Sequence, residues 1–114
     1  MYQFNPSPAE LSMLWLIRER ESGQNYQAQN PRSTAEGAYQ DIKTTWEWLC
    51  SLTGVDVQRY PTARSAPPEI QDLNNLLLLR RYGPNSSKSW KASGPYPAFQ
   101  EVRGMLQAAG IQNP

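Results

Sequence analysis

The sequence predicts a small, mainly α-helical domain of about four helices with long loops and at most a short irregular hairpin. Three observations support this fold class. A capping-box motif opens the first helical segment, apolar residues recur at spacings of three and four, and glycine ends each helical segment. The chain has 114 residues, which suits one domain, and we expect that domain to span residues 1–114.

The first helix is predicted from its start and stop signals. Ser7 is the expected N-cap of a capping box, with Pro8 at the first helical position and Glu10 at the third. The helix runs to Arg20 or Glu21, and the following glycine ends it. Its apolar stripe consists of Leu11, Leu14 and Ile17.

The segment from 22 to 45 is polar and rich in turn residues, so it predicts a long loop or a short irregular hairpin. A second helix follows, ends at Gly54, and leads into a loop that contains Tyr60. The apolar residues that indicate this helix are Trp46, Trp48, Leu49 and Leu52.

The third helix is predicted from Pro68 to Tyr82, where a leucine run makes the helix apolar nearly all round and therefore central. Its apolar stripe consists of Ile70, Leu73 and Leu77. A loop over residues 84–95 holds Trp90, and a final helix is predicted over residues 97–109. The residues of the final helix expected to face inward are Phe99, Val102, Met105 and Leu106.

Composition excludes several classes of site. The chain has no histidine, which excludes Ser-His-Asp and Cys-His catalysis and the usual zinc sites. The single cysteine, Cys50, excludes an intramolecular disulfide and is expected to be a buried free thiol. We therefore expect no metal and no cofactor. The longest apolar run is four leucines, which predicts no membrane span, and the first residues do not resemble a secretory signal.

Charge is balanced overall but not along the chain. Residues 1–57 carry a net charge of −3 and residues 58–114 a net charge of +4. A fold could therefore set an acidic wall against a basic wall that suits an anionic ligand, or simply present two solvated faces. No dense basic patch is present, so we expect no nucleic-acid partner.

Glu21 is the candidate catalytic residue. On an ideal helix it lies about 40° from Ile17 and about 20° from Leu14, so a carboxylate continues the apolar stripe at the last turn. Partial burial and the helix dipole would both raise its pKa, as a general acid requires. The alternative interpretation is a solvated, alternately charged helix end.

The surroundings of Glu21 resemble a known motif series. IRERESGQNY at residues 17–26 is similar to the I-x-x-x-E-S-G-x-x-Y/W helix end of soluble lytic transglycosylases and resuscitation-promoting factors. GAYQ at residues 37–40 and KTTW at residues 43–46 resemble the G-x-x-Q and S/T-T-W segments that follow in that family. SAPPEIQD at residues 65–72 and the downstream Gly83 and Trp90 are similar to its later segments.

The likeness covers roughly residues 8–91 and departs from the family in two places. No A-Y-N-A-G segment is present, and Tyr39 replaces the methionine of G-L-M-Q. These departures favour a compact branch of the lysozyme-like superfamily.

The resemblance implies that Glu21 acts on the β-1,4 bond between N-acetylmuramic acid and N-acetylglucosamine in peptidoglycan. As general acid it protonates the glycosidic oxygen, and as base it then accepts the proton of the muramyl C6 hydroxyl, which closes a 1,6-anhydro ring. The resemblance also implies that Gln40 contacts an N-acetyl group or the catalytic acid.

Several further residues are candidates for substrate binding. Tyr39 is expected in the cleft as a sugar-stacking ring, whereas Trp46 is expected in the core. Ser22 is expected to support the helix end, since no base could activate it as a nucleophile. Tyr60 and Trp90 are weaker cleft candidates.

Three other functions are alternatives to a lytic transglycosylase. Two of them retain a saccharide ligand, and the third does not. A lysozyme-type hydrolase would need a second carboxylate about 6.5–9.5 Å from Glu21 in an inverting mechanism. The candidates for that carboxylate are Glu36, Asp41, Glu47 and Asp56. A catalytically silent peptidoglycan-binding module is the second alternative, and a helical interaction domain is the third.

The expected partner is a peptidoglycan glycan strand, so the site of action would be the periplasm or cell wall. Without a visible signal peptide, we expect delivery by a phage virion, through a holin, or by a specialised secretion system. A virion or secretion-machine partner would then be involved.

Overall fold

Four α-helices make up most of the regular structure of residues 1–111, the part of the chain that the computed structural model describes. The helices are α1 (Pro8–Ser22), α2 (Lys43–Thr53), α3 (Pro68–Tyr82) and α4 (Phe99–Ala108), and two short 3-10 helices cover Ala63–Ser65 and Lys91–Ser93. The mainly α fold predicted from the sequence is confirmed. The last three residues of the predicted domain, 112–114, lie outside the described part.

Helix α1 begins at the predicted capping box. The Glu10 amide donates to Ser7 Oγ (3.1 Å) and the Ser7 amide donates to Glu10 Oε1 (2.9 Å), which satisfies two of the amides that a helix start leaves unpaired. Gly23 ends the helix in the left-handed region, with φ at +64°. The buried face is wider than the predicted stripe, since Leu11 is only half-buried. The apolar residues buried in α1 are Met13, Leu14, Leu16 and Ile17.

Helix α3 is the central helix, as predicted, and packs against both α1 and α2. The predicted stripe was only partly right, because Ile70 and Leu77 are half-buried. Polar residues complete the buried face. The buried residues of α3 are Gln71, Leu73, Asn74, Asn75, Leu76, Leu78 and Leu79.

Gln71 shows why polar residues occur in the core of α3. Its Oε1 accepts a hydrogen bond from the Ala38 amide (3.0 Å), and its Nε2 donates to the carbonyls of Tyr26 (3.0 Å) and Ala66 (2.9 Å). A Cβ at Gly37 would lie 2.4 Å from Gln71 Oε1, and its φ of +80° also favours glycine. The side chain of one helix residue therefore fixes the segments that precede and follow α2.

Helix α2 starts at Lys43, earlier than the apolar pattern indicates, and its N-cap residue Ile42 makes no side-chain cap. Trp46 is in the core, as predicted, with no exposed surface. Cys50 is a buried free thiol, also as predicted, and Asn74 Nδ2 donates to its Sγ (3.4 Å). Burial raises the pKa of this thiol. Leu52 is exposed.

Helix α4 packs against α1 through Val102 and Leu106, which are buried. The prediction that Met105 faces inward is wrong, because that side chain is 50% exposed. Phe99 is half-buried.

The segment before α2 is irregular, as predicted. Within residues 1–111 its only bridges are isolated antiparallel pairs, Gln29 with Glu36 and Glu36 with Asp41. Across the same residues no helix has both the length and the apolar character needed to cross a bilayer.

Candidate active site

Glu21 lies in the last turn of α1, next to Ser22 and the glycine that ends the helix. Its side chain is half-buried. Burial raises the pKa of the Glu21 carboxyl, and the nearby Ser93 hydroxyl acts in the opposite direction. A carboxyl group in this setting retains its proton to higher pH than an exposed glutamate does.

The two arginines nearest to Glu21 in sequence are engaged elsewhere. Arg18 donates to the Tyr39 hydroxyl (2.7 Å) and forms an ion pair with Asp72 (3.5 Å). Arg20 donates to the carbonyls of Ser93 (3.2 Å) and Pro95 (2.9 Å). Within residues 1–111 no basic side chain forms an ion pair with Glu21, so no cation offsets the effect of burial on its pKa.

The loop that faces Glu21 supplies Ser93 and Tyr96, which sequence reasoning missed. The Ser93 and Tyr96 hydroxyls are 2.5 Å apart. Burial raises the pKa of Tyr96, and the charge of Glu21 adds to that rise. Asn85 fixes this loop by accepting from the Tyr96 amide (2.7 Å) and donating to its carbonyl (3.1 Å). The Ser-Gly-Pro turn before Tyr96 was the available signal, but it marks a loop rather than a partner for α1.

Asp41 is a second carboxyl group whose pKa is affected by the charge of Glu21. It is 4% exposed, and Asn75 Nδ2 donates to its Oδ2 (2.7 Å). Burial raises the pKa of Asp41 to about 7; the hydrogen bond from Asn75 opposes this rise, and the charge of Glu21 adds to it. The site therefore holds two carboxyl groups, one half-buried and one buried.

The other predicted carboxylates lie in different settings. Glu47 and Asp56 are exposed. Glu36 is half-buried, and its backbone pairs with Asp41 through hydrogen bonds of 3.0 and 3.1 Å. Its Oε1 is buried and, within the described residues, has no hydrogen-bond partner.

The Gly-Ala-Tyr-Gln segment that the sequence associates with Glu21 does lie next to the end of α1. Ser22 Oγ donates to the Ala38 carbonyl (2.7 Å) and accepts from the Asn25 amide (3.1 Å). Ser22 therefore supports the helix end, as expected. Gln40 is half-buried with φ at +54°, and its Nε2 donates to the Gly37 carbonyl (3.0 Å).

Two of the predicted aromatic cleft residues are in the core instead. The Tyr39 side chain has no exposed surface, and its hydroxyl is held between Arg18 and Asp72. Trp90 is 4% exposed and its Nε1 donates to the Tyr39 carbonyl (3.1 Å). The expectation that these two rings face a cleft is wrong.

Tyr60 packs against a different hydrophobic cluster, the one around Trp46. Its carbonyl accepts from Trp46 Nε1 (2.8 Å), and Arg59 lies over its ring at 5.3 Å. These contacts explain its position without a ligand. Within residues 1–111 no group of three or more His, Cys, Asp or Glu side chains is placed to hold a metal ion.

The arrangement has properties that acid catalysis requires. A half-buried carboxyl group with a raised pKa, without an ion pair in the described residues, can donate a proton and take it back.

Comparison with known proteins gives a partial relative. Over 56 residues the chain is 41% identical to a protein of Staphylococcus saprophyticus subsp. saprophyticus named "Probable transglycosylase SceD 2". The match covers 49% of this chain and 21% of that protein, so the chain matches about a fifth of its relative's length. No protein-family model matches the chain, and no solved structure matches it significantly. The match relates about half of the chain loosely to a transglycosylase.

Proposed function

We propose that this chain is a lysozyme-like lytic transglycosylase that cleaves the β-1,4 bond between N-acetylmuramic acid and N-acetylglucosamine in peptidoglycan. The observation that carries the proposal is the state of Glu21, a half-buried carboxyl group whose pKa is raised by burial. The hydrogen bond between Ser22 and Ala38 supports it, because it joins the two motif segments that resemble the family. The partial relative named as a probable transglycosylase supports the same reaction class.

In the proposed reaction Glu21 acts twice. Its protonated carboxyl donates to the glycosidic oxygen while the bond to the muramyl C1 breaks through an oxocarbenium-like transition state. The resulting carboxylate then accepts the proton of the muramyl C6 hydroxyl as that oxygen bonds to C1. The products are a 1,6-anhydromuramyl end and a new N-acetylglucosamine end, and Glu21 is protonated again. No water is consumed.

The setting of Asp41 favours this reaction over hydrolysis. An inverting hydrolase needs a carboxylate that can hold a water molecule against the sugar. The charge of Glu21 raises the pKa of Asp41, but Asp41 is 4% exposed and already hydrogen-bonded to Asn75. An intramolecular hydroxyl needs no such water and is held at high effective concentration.

Hydrolysis is the second candidate because of one observation. Glu36 Oε1 is buried and lacks a hydrogen-bond partner within the described residues. That oxygen would gain a partner if it oriented a water molecule. In that case Glu36 would be the second carboxylate of a lysozyme-type muramidase.

The proposed substrate places the activity at the cell wall or in the periplasm.

The test compares wild type with Glu21→Gln on purified sacculi. We expect Glu21→Gln to lower the cleavage rate at least about 100-fold, since a positioned general acid contributes that much or more. Glu19→Gln is the matched control, because Glu19 is an exposed acid on the same helix, and it should retain the wild-type rate. Gln40→Ala should lower the cleavage rate less than Glu21→Gln does, because the Gln40 side chain transfers no proton.

Mass spectrometry of the released muropeptides separates the two reactions. A transglycosylase yields 1,6-anhydro ends, each lighter by one water than a hydrolytic reducing end. Reducing ends, together with a loss in Glu36→Gln as large as that in Glu21→Gln, would establish hydrolysis. Unchanged clearing of sacculi by folded Glu21→Gln would contradict both.

A further inference from the structure

Arg20 holds the segment that faces Glu21 against α1. Its Nη1 donates to the carbonyls of Ser93 (3.2 Å) and Pro95 (2.9 Å), two oxygens of the segment between α3 and α4. Its guanidinium also lies over the Tyr96 ring, 4.6 Å from the ring centroid. One side chain of α1 therefore contacts the backbone of this segment at two places and its aromatic ring at a third.

The side chains of the same segment lie in the surroundings of Glu21. The Ser93 hydroxyl lowers the pKa of Glu21, and the charge of Glu21 in turn raises the pKa of Tyr96. The Ser93 and Tyr96 hydroxyls are 2.5 Å apart, and Ser93 Oγ donates to the Trp90 carbonyl (3.0 Å). The backbone that Arg20 holds thus carries two hydroxyl groups near the candidate acid.

The two ends of this segment are anchored independently of Arg20. Trp90 is buried, and its Nε1 donates to the Tyr39 carbonyl (3.1 Å). At the other end Asn85 forms hydrogen bonds with both backbone groups of Tyr96. Residues 91–95, between these anchors, are half-buried or exposed. Their position relative to α1 therefore depends most on the contacts of Arg20.

The other charged groups around Glu21 do not depend on Arg20 for their charge. Arg18 of α1 is paired with Asp72 of α3 (3.5 Å). Asp41, in the segment before α2, is buried and its pKa is raised to about 7. Exposed charged residues on α1, on the segment after α3 and on α4 are Glu19, Lys91, Glu101 and Arg103. Replacing Arg20 by lysine therefore leaves the charges around Glu21 as they are.

We propose that Arg20 is a positioning residue for Glu21, which acts through the backbone of the Ser93–Tyr96 segment to hold two hydroxyl groups beside the Glu21 carboxyl. The inference deepens the proposed function and rests on it, because Glu21 there donates a proton and takes one back within a turnover. Between the two transfers the carboxylate is ionised, and hydroxyl groups fixed beside it stabilise and orient that form. Arg20 itself contacts no reacting atom in this role.

The first measurement is a carbon-detected NMR titration of the Glu21 carboxyl, whose signal is assigned by its loss in Glu21→Gln. Ser93→Ala removes a hydroxyl that lowers the pKa of Glu21, so the titration midpoint should move to higher pH. Arg20→Lys keeps the charge, but its shorter side chain has no planar group for the Tyr96 ring. It should release the segment and move the midpoint in the same direction. The double variant should titrate like Ser93→Ala, because both changes remove the same contact.

The second measurement is the rate of cleavage of sacculi. At saturating sacculi Arg20→Lys should be about tenfold slower than wild type, since small displacements at a reacting centre cost up to about 100-fold. The sacculus concentration that gives half the maximal rate should change little. The alkaline limb of the pH–rate profile should move to higher pH with the NMR midpoint, because the reaction needs protonated Glu21.

Arg103→Lys is the matched control, because it makes the same change at an exposed position on α4. It should leave the Glu21 midpoint and the cleavage rate at their wild-type values.

A wild-type midpoint in folded Arg20→Lys would overturn the inference, as would a wild-type rate or shifts that simply add in the double variant. A shift in Arg20→Gln that is absent from Arg20→Lys would also overturn it, because the charge of Arg20 would then explain the effect. Failure of the proposed function is a separate result: wild type would leave sacculi intact while the NMR midpoints still moved as expected.

Discussion

Replacing Asp41 by asparagine should stabilise the fold at neutral pH and remove most of the pH dependence of its stability. Asp41 is 4% exposed, and its Oδ2 accepts a hydrogen bond of 2.7 Å from Asn75. Asparagine has nearly the same shape as a protonated aspartic acid, and its amide oxygen can accept the same bond. The substitution therefore changes ionisation and little else.

The expected size follows from the two pKa values. Asp41 has a pKa of about 7 in the folded protein, against 3.8 for an unperturbed aspartate. Between these values the folded state binds more protons than the unfolded state, so stability falls as pH rises. Since one pKa unit corresponds to about 1.4 kcal/mol, the loss amounts to about 4 kcal/mol by the time pH exceeds 7.

The assay is urea denaturation of wild type and Asp41→Asn over a pH series from about 4 to about 8. The free energy of unfolding of wild type should fall across this range, whereas that of Asp41→Asn should fall much less, with the raised pKa of Glu21 as the remaining contribution. The two proteins should be similarly stable at the acidic end. Asp56→Asn is the control, because Asp56 is exposed, and it should follow wild type.

Parallel curves for wild type and Asp41→Asn would refute the reasoning. They would mean that Asp41 is already ionised in the folded protein at neutral pH. A buried carboxyl group with a raised pKa would then be the wrong description of Asp41.

Two further predictions concern stability. Tyr39→Phe should destabilise the fold by about 2 kcal/mol in urea denaturation, because the Tyr39 hydroxyl forms hydrogen bonds with charged groups on both sides, including Asp72 at 2.6 Å. Tyr26→Phe removes one hydrogen bond to Asp72 from a half-buried residue, so it should destabilise the fold less. An equal loss of stability in the two variants would contradict this prediction. Glu10→Gln should remove about 1 kcal/mol of stability at neutral pH. The Arg80 guanidinium holds the pKa of Glu10 at about 2 rather than 4.5. This contribution is therefore present above pH 4.5 and is lost as pH falls towards 2, so thermal unfolding of the two proteins should converge at acidic pH.

The helix ends were predictable because their signals are local. Ser7 and Glu10 cap α1 in a pattern that four residues specify, and α3 has the predicted bounds, Pro68–Tyr82. The start of α2 was not predictable in this way, because Ile42 offers no capping side chain. The exposure of Met105 depends on how α4 meets α1, which periodicity within α4 cannot decide.

The site was predictable only at its centre. The angle of Glu21 relative to the apolar stripe of α1 is a property of one helix, and the half-burial it indicates is found in the structure. Ser93 and Asn75 come from segments far along the chain, so their proximity is decided by tertiary packing. Tyr39 was placed in a cleft because an aromatic ring can stack on a sugar, but the charged pair of Arg18 and Asp72 holds its hydroxyl inside the core.

The buried thiol of Cys50 can report local unfolding of the protein. A thiol reacts with alkylating reagents as the thiolate, and burial both raises the pKa of Cys50 and shields its sulfur behind Asn74. Because the chain has no second cysteine, every modified molecule records one opening around α2 and α3. With excess reagent the labelling rate reports how often that region opens, and with dilute reagent it reports the fraction of molecules in which the region is open.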